Sequence, residues 1–459
     1  MLVYRFMQRI LGFLAEVFFR QIEVVGDEHV PAEGTATIFA GNHPNSLLDP
    51  VLIIARGGRI VHFAAKDVLF QSRVLRFFLD RLGAVPVARR ADHPDGRLEN
   101  DDAFDRMFGV LAAGRAVGIF PEGLSHDAAH LSRLKTGAAR IALGAAERHP
   151  GLVVRVVPTG LTYVRRRRFR SRVLIQFGAP ITVGADEVEA FRSDPQAASR
   201  ALTERLEASL RDLTVNAEDW DTLRVLDGVR RLYQPADVSL EHRTELARRF
   251  NAVYPSVAEQ PEIVALYTRV QAYLERLRAD GLTDRDLRRE PAPGETLARV
   301  SRHLVLMLVW MPLALPGFVF HLPLALAIGF AGLHLSPRKD VIATTKFVLG
   351  LLLMLAAFGA VVLGIGLFAG PAWALAAAGL LPLSGYATLR VVERGALMFR
   401  ATGTLGRLLS LRRELADLRA ERAALEQAVL GAVGRFRPAS MTPIFPDRAG
   451  PGADAGFIP

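Results

Sequence analysis

Between Arg302 and Arg338 no residue carries a formal charge at neutral pH, and the same holds from Phe347 to Leu389. Stretches of this kind favour lipid over water, and one membrane-crossing helix takes roughly 20 apolar residues. The second stretch fits two crossings with a turn at Gly370-Pro371. The first is long for one crossing and short for two, so a hairpin broken between Pro316 and Pro323 is expected. Arg338, Lys339 and Lys346 lie between the stretches, and Arg390, Arg394 and Arg400 follow the second. If every basic flank is cytoplasmic, each stretch goes in and comes back. The sequence therefore predicts transmembrane hairpins over 301–390 in a multi-pass protein whose soluble part faces the cytosol. The arginine- and alanine-rich composition suggests a bacterial inner membrane.

The remainder of the 459 residues is long enough for more than one ordinary domain. Mean hydropathy is +0.22, high for a soluble enzyme, and the surplus sits in the two uncharged stretches. The net charge of +10 is carried almost wholly by arginine. A surface of that sign seeks phosphate, in lipid headgroups, small phosphorylated substrates or nucleic acid. There is no cysteine. Thiolate nucleophiles, disulfides and cysteine metal sites are thereby excluded.

Residues 1–20 place Leu2, Phe6, Ile10, Phe13 and Val17 at helical spacing, interrupted by Arg5, Arg9, Glu16 and Arg20. The pattern predicts an amphipathic helix, lying either on the membrane surface or on the protein's own core. From 21 to 215, apolar runs of strand length (QIEVV, TATIFA, IVHFAA, AVPVA, AVGIF, VVRVVP, VLIQFG) alternate with helical patterns. That alternation predicts an α/β domain with a central, mostly buried sheet flanked by helices. Residues 216–300 are charged and amphipathic, a helical accessory region. Residues 391–432 have leucines at heptad-like steps, an amphipathic or coiled-coil helix, and 433–459 are expected to form a disordered tail.

The segment GNHPNSLLDP, residues 41–50, brings a histidine and an aspartate into one short stretch after a predicted strand. Six residues apart, His43 and Asp49 meet only if the histidine stands on the turn and the helix begins after it. Pro44 supports this by holding His43 extended. Two readings of Asp49 stand side by side. Ser46 and Asp49 match a capping box, and His43 with Asp49 matches a general base and its orienting carboxylate. No G-x-S-x-G motif occurs, so the base would serve a substrate hydroxyl rather than a protein serine. In GIFPEGLSHD, residues 118–127, a strand gives way at Phe120 to the turn Pro121-Glu122-Gly123, at the carboxyl end where open α/β sheets bind ligands. His126 and Asp127 follow, without the ligand spacing of a metal site.

GNHPNSLLDP, AVPVARR, IFPEGLSHD with LKTG, and VVPTG resemble, in order and spacing, the four blocks of the PlsC-like glycerolipid acyltransferase family. Five residues separate the histidine and aspartate, where that family usually has four. The longer form, with FPEGLSHD, the segment DWDTLRVLDGVRRLYQP and the late membrane segments, resembles the fungal-type glycerol-3-phosphate and dihydroxyacetone-phosphate acyltransferases. The resemblance implies a membrane-bound O-acyltransferase of phospholipid synthesis, using acyl-CoA or acyl-carrier protein as donor and no other cofactor or metal. The acceptor would be glycerol-3-phosphate or dihydroxyacetone phosphate, with 1-acylglycerol-3-phosphate or another lysophospholipid as the alternative. A non-catalytic membrane scaffold is the alternative of another class.

Carried over by position, the resemblance makes His43 the base and Asp49 its partner. Arg89, with Arg90, would grip the acceptor's phosphate, as a guanidinium can with two parallel hydrogen bonds. Asn45, Phe120, Pro121, Glu122, Gly123, Ser125 and Gly137 would shape the substrate site, Lys66 and Lys135 would add charge, and Pro158 would end a strand beside the acyl group. The run RRRRFRSR, residues 165–172, is expected to face lipid phosphates; for nucleic acid it lacks stacking partners beyond Phe169.

Overall fold

The computed structural model describes residues 2–88, 100–288, 293–410 and 412–446. All seven apolar runs become strands. The chain begins with α1 (Leu2–Phe18), β1 (Phe19–Val25), β2 (Thr37–Gly41), α2 (Leu48–Arg56), β3 (Val61–Lys66), α3 (Arg73–Arg81) and β4 (Val85–Val87). It continues through α4 (Asp101–Ala112), β5 (Ala116–Ile119), α5 (Gly137–Arg148), β6 (Val154–Tyr163), β7 (Ser171–Phe177), β8 (Ile181–Val183), α6 (Ala185–Ser193) and α7 (Pro195–Leu213). The sheet order is β1-β7-β6-β2-β5-β3-β4, with β8 beside β6. β2 is parallel to both of its neighbours, β5 and β6.

Every residue of β2 is buried. Its alternation sends Ile38 and Ala40 into a core with Val117 of β5, Met107 and Leu111 of α4, Ile141 of α5 and Leu206 of α7. Phe39 points the other way and meets Phe177 edge-on. A sheet covered on both faces accounts for strands that read as near-continuous apolar runs. The helix after β2 leads to β3 on one side, whereas the helix after β5 leads to β6 on the other. The carboxyl ends of β2 and β5 therefore flank a topological switch point, where such sheets open a crevice.

Pro158 does not end its strand. β6 runs on to Tyr163, because its first half pairs with β8 at Val154–Val156 and its second with β7 from Thr159. Proline, which lacks an N–H, falls in the gap between the two antiparallel partners. β8, only three residues long, is an addition to the seven predicted strands.

The first helix packs on the protein's own core along one side. On one side of α1 the Tyr4 hydroxyl donates to Val61 O (2.9 Å) and accepts from its N–H, while Gln8 donates to Ile54 O. On the other side Leu2, Val3, Phe6, Ile10, Phe13 and Val17 are exposed. Below the sheet, the buried Arg59 guanidinium donates to Pro31 O, Thr35 O, Gly114 O and Thr37 Oγ1. Burial pulls its pKa below the ordinary guanidinium value. Arg59→Leu would leave Pro31 O and Gly114 O without this donor, while Thr35 O would keep the Thr37 hydroxyl. The substitution is expected to cost about 2–4 kcal/mol, read as a lower denaturation midpoint of the purified chain.

Beyond α7 the accessory region is helical, as expected: α8 (Trp220–Tyr233), α9 (Leu240–Val257), α10 (Pro261–Ala279) and α11 (Asp284–Arg288). The first uncharged stretch lies in one helix, α12 (Pro293–His334), followed by α13 (Ile342–Ala369), α14 (Pro371–Ser410) and α15 (Arg412–Phe436). The turn at Gly370 is present, its φ of 96° suiting glycine. The break expected between Pro316 and Pro323 is not: α12 continues through Pro312, Pro316 and Pro323. In an apolar setting a helix stays intact past proline, because no water is there to satisfy a broken backbone. Instead α12 packs antiparallel to α14 through small residues, with Ala314 against Ala387 and Gly317 against Ser384 and Thr388. α12, α13 and α14 are each long and apolar enough to cross a membrane. The expected disordered tail is ordered at its start, since α15 reaches Phe436 and the Phe445 ring meets Tyr233; 447–459 lie outside the described residues.

The chain divides into two compact units. One comprises Met1–Leu223, Val238–Ala252 and Pro337–Thr344, so the connection between α12 and α13 belongs with the sheet. The other comprises Arg224–Asp237, Val253–Ser336 and Thr345–Pro459.

Candidate active site

Two residues after β2 ends, His43 stands on the turn, and Asp49 lies in the first turn of α2. His43 Nδ1 and Asp49 Oδ2 are 2.8 Å apart. The same Oδ2 accepts the backbone N–H of Asn45 at 2.7 Å. The capping-box reading of Asp49 does not hold: its carboxylate reaches back to the Asn45 N–H rather than to Ser46, and it holds the imidazole. Ser46 takes no capping role. It has φ 48°, the helix starts at Leu48, and no side chain caps it. Asp49 is fully buried, and its Oδ1 accepts from the Tyr163 hydroxyl at 2.5 Å. Burial, then the neighbouring Asp49 charge, keeps that phenol well above its usual pKa and hence protonated. With Nδ1–H committed to the carboxylate, Nε2 is the ring nitrogen left to accept a proton. Among the described residues none hydrogen-bonds Nε2.

The ring of His43 lies flat on Phe120, centroids 4.0 Å apart and planes within 5°. Phe120 in turn stacks on Phe63 of β3. The backbone of His43 is clasped by the turn after β5: its N–H donates to Glu122 Oε1 (2.7 Å), and its C=O accepts from His126 N–H (3.2 Å). Glu122 Oε2 also accepts from Ser132 N–H at 2.8 Å and bonds the His126 ring. Burial alone would raise the Glu122 pKa, but the bonds from His126, Ser132 and His43 together outweigh it and hold it below the usual carboxylate value. Glu122 is therefore an ionised clamp on the turn that carries His43.

Asn45 is buried and donates from Nδ2 to Arg166 O at 3.2 Å. Pro121 O accepts the Lys135 N–H, and the Lys135 side chain lies over Gly123, where any Cβ would come within 2.6 Å of Nζ at a φ of 78°. The flexible end of Lys135 can move aside, so it is the positive φ rather than the packing that favours glycine at 123. Gly137 opens α5, and a Cβ there would meet only Ile119 Cδ1 at 3.9 Å, so nothing in the packing demands glycine. Lys66 ends β3, partly buried. Ser125 is buried, its hydroxyl donating to Asp340. Arg89 and Arg90 lie outside the described residues. Among the described residues no three histidine, aspartate or glutamate side chains converge as metal ligands.

Sequence reasoning missed several groups. Asn42 pairs through its amide with both backbone groups of Leu161, extending the ladder past the end of β2. Tyr163 and His126 hold the two carboxylates. The arginine-rich run is turned partly inward: Arg166 and Arg167 pair with Asp127, and Arg170 donates to the carbonyls of Glu16, Val17 and Phe19. A density of charge did not mark which arginines the fold itself uses.

Residues 21–162 match the acyltransferase family, and residues 225–334 match the glycerol-3-phosphate acyltransferase 2 C-terminal domain. The chain is 27% identical to glycerol-3-phosphate O-acyltransferase 2 of Saccharomyces cerevisiae, over 75% of this chain and 62% of the yeast protein. It is 30% identical to glycerol-3-phosphate O-acyltransferase 1 of the same yeast, over 56% of this chain and 36% of that protein. It thus spans less than two thirds of either relative. A solved structure, the 1-acyl-sn-glycerophosphate acyltransferase PlsC of Thermotoga maritima, aligns with 45% of this chain and 81% of its own at 20% identity and a TM-score of 0.31. The two matches follow one another in order, and the chain carries an acyltransferase family domain followed by a glycerol-3-phosphate acyltransferase 2 C-terminal domain.

Proposed function

We propose that the chain transfers a fatty acyl group from a thioester, acyl-CoA or acyl-carrier protein, to the hydroxyl of glycerol-3-phosphate or dihydroxyacetone phosphate. The observation that carries this is the imidazole of His43, held by a buried carboxylate through Nδ1 and leaving Nε2 to act. His43 takes the proton of the acceptor hydroxyl as its oxygen attacks the thioester carbonyl. The new C–O bond forms, the C–S bond breaks, and the proton passes from the imidazolium to the departing thiolate. No acyl-enzyme is needed, and Asp49 steadies the imidazolium while it exists. The resemblance gives Arg89 and Arg90 the acceptor's phosphate. The names of the two yeast relatives favour a glycerol phosphate as acceptor.

The reaction belongs at a membrane. The outer stripe of α1 and the exposed Leu75, Phe77 and Phe78 of α3 offer apolar side chains beside arginines, a composition suited to the headgroup boundary. The test supplies the purified full chain in vesicles with labelled acyl-CoA and, separately, glycerol-3-phosphate, dihydroxyacetone phosphate and 1-acylglycerol-3-phosphate. Acylated product from one of the first two is expected. Product from 1-acylglycerol-3-phosphate alone would overturn the acceptor, and no product from any would leave the scaffold reading.

A further inference from the structure

The segment Pro337–Thr344, between two helices long and apolar enough to cross a membrane, is packed into the catalytic unit. It is pinned at two points four residues apart. Asp340, buried to 3% exposure, accepts from the Ser125 hydroxyl at 2.6 Å. Thr344 Oγ1 accepts the Leu47 N–H at 3.2 Å and donates to Asn45 O at 3.4 Å. Ser125 precedes His126, whose N–H bonds the carbonyl of His43, and Asn45 shares the Asp49 carboxylate with His43. The segment therefore braces both turns that build the candidate site. Arg338 is fixed by the same anchor: its Nη2 donates to Asp340 Oδ2 (2.8 Å) and to Ser125 Oγ (3.0 Å). Half of its side chain remains exposed.

We propose that Arg338 is a substrate-binding residue, taking a substrate's phosphoryl group at the mouth of the site, with Asp340 and Ser125 as its positioning residues. The inference deepens the glycerol-phosphate reading and rests on it. A guanidinium has five N–H donors, and Nη2 carries the two bonds to its anchor; Nε and Nη1 make no hydrogen bond among the described residues and keep three donors. An arginine whose geometry is already fixed loses less side-chain freedom when it binds an anion. Asp340 anchors Ser125 and Arg338 through Oδ2, and its charge offsets only part of the guanidinium's attraction for an anion, which the three remaining donors meet by hydrogen bonding. Arg338 lies beyond residues 21–162 and 225–334, which carry the family matches. It stands a turn before α13, so the phosphoryl group it holds is at the level where an apolar helix begins. Both the acceptor and CoA carry phosphate, so either can be the ligand.

The test uses the full chain in vesicles. Kinetic constants for glycerol-3-phosphate and for acyl-CoA are measured in the wild type, Arg338→Ala, Arg338→Lys and Asp340→Asn, with calorimetric binding of glycerol-3-phosphate, inorganic phosphate and CoA alongside. Losing a charge-assisted contact is expected to raise one KM about tenfold or more with kcat within about threefold. Lysine should recover part of the loss, and Asp340→Asn should show a smaller loss in the same constant. A raised acceptor KM, with weaker binding of glycerol-3-phosphate, assigns the acceptor's phosphate. A raised acyl-CoA KM, with weaker CoA binding, assigns the donor's. Both KM values and all three affinities within twofold of wild type in Arg338→Ala would overturn the proposal. Absence of transfer by the wild type would instead sink the glycerol-phosphate reading, while the phosphate and CoA affinities still decide whether Arg338 binds phosphate.

Discussion

His43→Ala is expected to lower acyl transfer by about 10³-fold while leaving the fold and the membrane association intact. The rate effect follows from the role: a positioned general base contributes roughly 10²–10⁴-fold. The absence of a structural effect follows from the hydrogen bonds that remain. Asp49 Oδ2 would still hold the Asn45 N–H, and Oδ1 would still hold the Tyr163 hydroxyl. The clamp from Glu122 and His126 grips the backbone at position 43, which alanine retains. The stacking on Phe120 is lost, a loss of area on a partly exposed ring. The check is the turnover of acyl-CoA with glycerol-3-phosphate, beside a denaturation midpoint and a vesicle flotation assay. Turnover within a few-fold of wild type would remove His43 from the chemistry.

Much of the α/β unit was legible because its signals are local. Buried strands such as Thr37–Gly41 and Ala116–Ile119 show themselves as short apolar runs bounded by turn residues. The His43–Asp49 pair was legible for the same reason, since Pro44 fixes the turn on which it depends. Partners distant in sequence were not. Tyr163 stands 114 residues from Asp49, and Asp340 stands 215 from Ser125. No local pattern announces that a loop between two apolar helices will return to the sheet. Proline misled twice, and in both cases the surroundings decide. At Pro158 a change of strand partner removes the need for an N–H, and along α12 the apolar setting makes breaking the helix more costly than losing one bond.

Glu122→Ala should harm stability and catalysis together, because one carboxylate holds the site's two turns. Its removal leaves the His43 and Ser132 N–H groups without their acceptor and the His126 ring with only the Ser132 hydroxyl at Nε2. Breaking a buried charged network in this way is expected to cost about 3–5 kcal/mol. With the backbone at His43 released, its Nε2 moves relative to the acceptor, and a shift of about 1 Å can reduce transfer by roughly 10²-fold. Glu122→Gln separates the charge from the shape: it keeps one accepting oxygen but neither the ionic strength of the bonds nor the proton linkage. The folded-state pKa of Glu122 lies below the usual carboxylate value. Its ionisation therefore stabilises the fold fully above the unfolded carboxylate pKa of about 4.3, and that contribution is lost as pH falls through the lower folded value. The stability gap between wild type and Glu122→Gln should be constant from about pH 7 down to 5 and should close at lower pH. Denaturation midpoints across that range test it. A gap that widened towards acid would mean that Glu122 is protonated in the folded chain, and the clamp on His43 would then be a neutral hydrogen bond rather than a charge.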